Sequence, residues 1–286
     1  MSANILFDNE NKTIHLTNGN ISYIMQVMRD GYLIHHYFGP KLSSLNVKFA
    51  YKSTERDGCP VPFAYGDERS FILDNLCQEL PTFGVGDYRT PAFKAIFANG
   101  TTACDFRYDS HTIYKGKRNL ENMPCLKVFD ENDAISIDIC MKEVFYKVQI
   151  ILTYTIFANL DVIVRSVKVI NNESEAITLE SVQSLCLDLQ DHDYEKIHLY
   201  GTHANERQIE RVKLSRQIET IASSRAASSH QHAPFVALVR KDTTETHGEV
   251  IAASLVWSPI PAPSQDLVLL QQTRFLLPTN IYSSQQ

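Results

Sequence analysis

The chain has 286 residues, 44% of them hydrophobic and 21% charged, which places it in the globular range with enough apolar material for one large core. Its formal net charge of -6 gives no basic face for a phosphate backbone, so nucleic acid is excluded as an expected partner. No apolar run approaches the roughly 20 residues of a membrane helix.

The opening MSANILFDNENK is polar and acidic where a signal peptide would be basic and then apolar, so a cytoplasmic protein with no membrane partner is expected. Strand signals begin with Lys12–Thr17, Asn20–Met28 and Tyr32–Phe38. The dipeptides Asn18-Gly19 and Asp30-Gly31 separate them, and such pairs are strong hairpin signals, so these segments predict a meander. By the same reasoning Asn99-Gly100 is expected to join Ala92–Ala98 to Thr101–Tyr108. Between these regions the run Ala64–Pro91, AYGDERSFILDNLCQELPTFGVGDYRTP, is too polar to be packing alone, and loops of this kind carry function. Asp67–Glu79 is the best helix candidate, yet it lacks an apolar stripe of helical period.

Farther on, Ala134–Met141, Tyr146–Phe157 and Asp161–Ile170 are rich in Val, Ile, Tyr and Phe, which suit a pleated and half-buried surface. In Val162–Ile170 the apolar positions Ile163 and Val169 flank the polar Arg165 and Lys168, a pattern closer to period two than to 3.6. Asn171-Asn172 then leads into Ala176–Asp188. The fold class predicted is all-β, a large antiparallel β-sandwich with few short helices. The prolines of SPIPAPSQ interrupt any ladder from Pro259 on. Residues 1–258 are therefore read as the domain, and 259–286 as a divergent, weakly packed tail prone to self-association.

Six cysteines, Cys59, Cys77, Cys104, Cys125, Cys140 and Cys186, show no CxxC pair and are read as reduced thiols. Ten histidines raise the question of metal, but His192, His198, His203, His230 and His232 fall into no zinc framework. His230 and His232 could share a strand face; even so, no metal and no cofactor are expected. Ser228, Ser229 and His230 are adjacent in sequence, which does not make a catalytic triad.

From Thr13 to about Ser258 the chain resembles the amino-terminal β-supersandwich of bacterial family-36 α-galactosidases. The motifs that carry the likeness are GDERSF at Gly66–Phe71, QELP at Gln78–Pro81, GDYRTPAF at Gly86–Phe93, HTIYKGK at His111–Lys117, HLYG at His198–Gly201, ERQIER at Glu206–Arg211 and SSHQHAPF at Ser228–Phe235. The likeness stops after GEVIAASLVWS at Gly248–Ser258. It implies an enzyme that hydrolyses terminal α-galactosyl residues of oligosaccharides, usually as a homotetramer. Retaining glycosidases need two carboxylates about 5–5.5 Å apart, and the resemblance places that pair beyond the matched region. No catalytic residue is thus expected within this chain, which is read as inactive alone.

Carried over by motif, Asp57 and Arg69 are the residues expected to contact galactose in a neighbouring subunit. A carboxylate accepts from sugar hydroxyls and a guanidinium donates in a fixed fork, which suits that role. Arg69 pairing with Glu68 or Asp67 in a solvated loop is the bland alternative. Asp87 and Arg89 are expected to form a local ion pair that pins the loop before Pro91. The partners implied are galactosides and either further copies of the chain or full-length α-galactosidase subunits. The other reading is a non-catalytic carbohydrate-binding β-sandwich, which calls for a row of exposed aromatics; the single Trp257 is poorly placed to supply one.

Overall fold

The computed structural model describes residues 2–43, 71–119, 125–189, 193–215, 218–221, 230–256 and 273–276. Among them are sixteen strands and no α-helix, only short 3-10 turns such as Leu73–Asn75. None of the described helices is long and apolar enough to cross a membrane. The chain divides into two compact units, the first built on the first ten strands and the second on strands 12 to 15.

In the first unit, β1 (Asn4–Asp8), β2 (Thr13–Thr17), β3 (Ile21–Val27) and β4 (Leu33–Pro40) form an antiparallel sheet in chain order. The expected meander is there, with β1 added. Its turns follow from local chemistry. The Asn18 side chain accepts from the backbone N–H of Asn20 and Ile21, 3.0 and 3.1 Å, while Gly19 takes φ 95°. Asp30 and Gly31 both adopt positive φ, 59° and 85°, as a tight hairpin turn requires.

β5 (Phe93–Ile96) is followed by a second antiparallel sheet, again in chain order: β6 (Phe106–Lys115), β7 (Ala134–Glu143), β8 (Val148–Phe157) and β9 (Ile163–Asn171). In β8 the alternate residues Val148, Ile150, Leu152, Tyr154 and Ile156 are all buried, the period-two signature of a strand with one face in the core. Burying each such side chain contributes about 1.5–3 kcal/mol. The two sheets meet where the Tyr23 ring packs on the Tyr154 ring, centroids 5.7 Å apart.

The hairpin expected at Asn99-Gly100 forms only as a turn. Phe97 N–H donates to Thr101 O and Gly100 N–H to Phe97 O, but β5 then pairs with β10 (Thr178–Val182) and β6 with β7. The segment expected as one strand over Ala176–Asp188 is two, β10 and β11 (Leu185–Asp188). In the second unit β12 (Glu195–Thr202), β13 (Asn205–Lys213), β14 (His232–Val239) and β15 (Val250–Ser254) form a sheet ordered β13-β12-β14-β15. Two large sheets were the expectation; the described residues instead form three four-stranded sheets and two small pairings. One of the small pairings joins β11 to β16 (Thr273–Leu276), so part of the tail is a strand.

Candidate functional site

The polar run singled out in the sequence enters the described structure at Phe71. That residue is buried in a cluster with Tyr32, Ile34, Leu73 and Leu76, its ring 5.9 Å from that of Tyr32. The QELP and GDYRTP motifs then interlock. Arg89 donates from Nε to Asp87 Oδ1 at 2.9 Å and from Nη2 to Asp87 Oδ2 at 2.7 Å. The same Nη2 donates to the carbonyl of Leu76 at 2.7 Å, closing the 3-10 turn Leu73–Asn75 from below. Gln78 Nε2 donates to the same Asp87 Oδ2 at 3.0 Å. Asp87 is 2% exposed, so its charge is compensated within the loop. The expected ion pair is therefore present, and it clamps the stretch from Leu73 to Gln78.

Glu79 of QELP has a different fate. Its carboxylate is the centre of a buried network that draws on four strands outside its own loop. Tyr23 Oη donates to Oε1 at 2.5 Å and Tyr154 Oη to Oε2 at 2.7 Å. His35 Nδ1 lies 3.1 Å from Oε1 and Arg165 Nη1 3.1 Å from Oε2. Arg165 also donates to Tyr154 Oη and to the Cys186 carbonyl, and its guanidinium lies 4.5 Å from the Tyr154 ring centre. Burial alone would push the Glu79 carboxyl upward, but Arg165, His35 and the Tyr23 hydroxyl outweigh it and hold it at about 2. Burial, with Glu79 nearby, raises both tyrosines well above their ordinary value. A carboxylate so saturated and so low has no proton to give at neutral pH and no open lone pair for a substrate. Its work is structural.

Asp57 and Arg69 lie outside the described residues, as do Cys59, Ser228, Ser229, His192 and Trp257. Among the described cysteines, Cys104 and Cys186 are buried. In the ERQIER motif, Arg211 is exposed yet fully engaged. It pairs with Glu195 and donates to the carbonyls of Thr243, Arg240 and Lys241, tying β13 to the turn between β14 and β15. Gly201 of HLYG sits where a Cβ would come within 2.7 Å of Glu206 Cα, so only glycine fits beside the returning strand.

The histidines pair in a way their spacing does not show. His198 meets His232 with ring centres 5.2 Å apart, and His203 meets His230 at 6.5 Å; His230 and His232 do not form the pair. Reading the sequence located the motifs but missed Tyr23, His35, Tyr154 and Arg165 as partners of Glu79. Arg165 carried the one available signal, a charge with the same parity as Val167 in a strand whose buried face includes Val167.

A family model described as the glycosyl hydrolase family 36 N-terminal domain matches residues 31–259. The α-galactosidase AgaA of Geobacillus stearothermophilus is 37% identical over 254 residues, which is 89% of this chain and 35% of that protein. The crystal structure of the family-36 α-galactosidase AgaB from the same organism superposes with a TM-score of 0.81 at 36% identity, covering 86% of this chain and 33% of its own. An AgaA variant crystallised with raffinose gives 0.80 at 38% identity, covering 84% of this chain and 33% of its own. The chain thus spans about a third of the length of these relatives. Matched along four-fifths of its length by the model of one domain, and by the folds and sequences of the enzymes that contain it, the chain belongs to glycoside hydrolase family 36 through its N-terminal domain.

Proposed function

We propose that the chain acts as the N-terminal module of an α-galactosidase, in which Asp57 and Arg69 contact the terminal galactose of an oligosaccharide in a neighbouring subunit. The observation that carries this reading is the family match over residues 31–259, which spans both residues and the motifs around them. The Gln78–Asp87–Arg89 clamp supports it, because it fixes the chain four to nine residues after Arg69 without itself offering a substrate contact. Binding of raffinose by a relative of the same fold supports an oligosaccharide as the ligand. Six cysteines without a CxxC spacing, read as reduced thiols, support a cytoplasmic location.

The alternative, a non-catalytic carbohydrate-binding sandwich, needs aromatic side chains in a row. Tyr88 and Phe145 are 70% and 77% exposed, but they belong to separate loops, one within GDYRTP and one between β7 and β8. The test is Arg69→Ala in an α-galactosidase that carries this chain as its amino-terminal part. Loss of charged hydrogen bonds worth about 1.5–3 kcal/mol should lower kcat/KM for raffinose by roughly tenfold to a hundredfold with assembly intact. Unchanged kinetics in a correctly assembled enzyme would remove Arg69 from the site.

A further inference from the structure

The second unit holds a buried histidine that the galactoside reading does not use. His198, on β12, is 3% exposed, and its Nε2 has no hydrogen-bond partner. A ring nitrogen left so in the interior forfeits a hydrogen bond, and such an orphan calls for an explanation. A metal ion is one partner that a buried imidazole nitrogen can take.

His232 stands beside it on β14. Its side chain is exposed, and its ring centre is 5.2 Å from that of His198, with the planes tilted by 32°. Two imidazoles on one tetrahedral zinc, at Zn–N lengths of about 2.0–2.1 Å, keep their ring centres about 5 Å apart. The His203 and His230 rings, 6.5 Å apart and nearly perpendicular, lie beyond that spacing. Glu210, exposed on β13, is directly opposite His198 in the strand register. Among the described residues no three His, Cys, Asp or Glu side chains already converge as ligands, so the arrangement is a two-histidine one.

We propose that His198 and His232 form a binding site for a divalent transition ion of the zinc type, with water in the remaining positions. Imidazole ligands suit zinc and its neighbours and disfavour calcium or magnesium, which take oxygen. Lys196 is the cation two residues before His198 on β12. The Lys196 charge is itself engaged by Glu219 at 2.5 Å. The site is independent of Asp57 and Arg69, and its failure or success leaves the galactoside reading untouched.

The experiment is a titration of the tag-free 286-residue chain with zinc chloride against a chelating dye, followed by the NMR signals of the histidine rings. One equivalent should bind, shifting the His198 and His232 rings together. His232→Ala should weaken binding by more than about tenfold, given that outer partners alone account for about 10–100-fold, and His203→Ala should leave it unchanged. An unaltered affinity in His232→Ala, an equal loss in His203→Ala, or no zinc-dependent shift of either ring would overturn the proposal. The exposed His232 can be removed without opening the core, and the amide spectrum of that variant verifies its fold; should His198→Gln unfold the unit, His232→Ala decides alone.

Discussion

Glu79 is a charge with nowhere to go. Its side chain is 0% exposed and that of Arg165 only 7%, so neither can turn to water if the other is lost. Removing one member of a buried pair strands the other and costs about 3–5 kcal/mol. Glu79→Gln should therefore lower the unfolding free energy by that much at neutral pH, read as a lower urea midpoint with the m-value unchanged, and a cost under about 1 kcal/mol would contradict the network. The same residue sets an acid limb. Its folded value of about 2 lies below the 4.5 of a free side chain, so its stabilising effect is complete above pH 4.5 and is lost as the pH falls from there through about 2. The variant should lack that portion of the acid sensitivity, which a denaturation series from pH 6 down to pH 2 would reveal.

At the level of elements, the loop after β4 depends on one side chain that spans it. Arg89→Ala removes the donor to the Leu76 carbonyl and the partner of Asp87. The amides of Asn75 and Leu76, which donate to Ile72 and Leu73, should then exchange with deuterium markedly faster while those of β8 keep their protection. Equal acceleration in β8 would mean that Arg89 supports the whole unit and not the loop. How much of this could be read beforehand varied with distance along the chain. Asn18-Gly19 and Asp30-Gly31 announced their hairpins because a positive φ is a property of those residues themselves. Asn99-Gly100 announced a turn equally well, but β5 takes its partner from Thr178–Val182, and no local rule selects a strand so remote. Arg165 was misplaced for a related reason. A guanidinium in a strand suggests solvent, and only a carboxylate supplied by a loop far away in sequence makes its inward position favourable. The Asp87–Arg89 pair was legible because both partners and the proline they guard lie within five residues. The pairing of His198 with His232 was not, since it depends on the register of β12 against β14.

For the molecule as a whole, the exposed margin of the second sheet matters as much as its interior. β13 is an edge strand in which every residue is exposed, and such a strand is a template for another chain unless it is blunted. Glu206, Arg207, Glu210, Arg211 and Lys213 supply the charges, and Arg207 adds a break in the ladder with its φ of 60°. Replacing Arg207 and Glu210 together by valine should raise light scattering above that of the parent at equal concentration; no increase would show that the edge is already covered in solution. The buried network of the first unit has a different bearing, on descent. Tyr23, His35, Glu79, Tyr154 and Arg165 come from separate stretches of the chain, yet each satisfies a neighbour that water cannot reach. A library that varies them one at a time should find every position intolerant, whereas one that varies them jointly should recover whole replacement sets, apolar ones included. In lineages that share this fold, the five positions are then expected to drift as one inherited character, held or exchanged together.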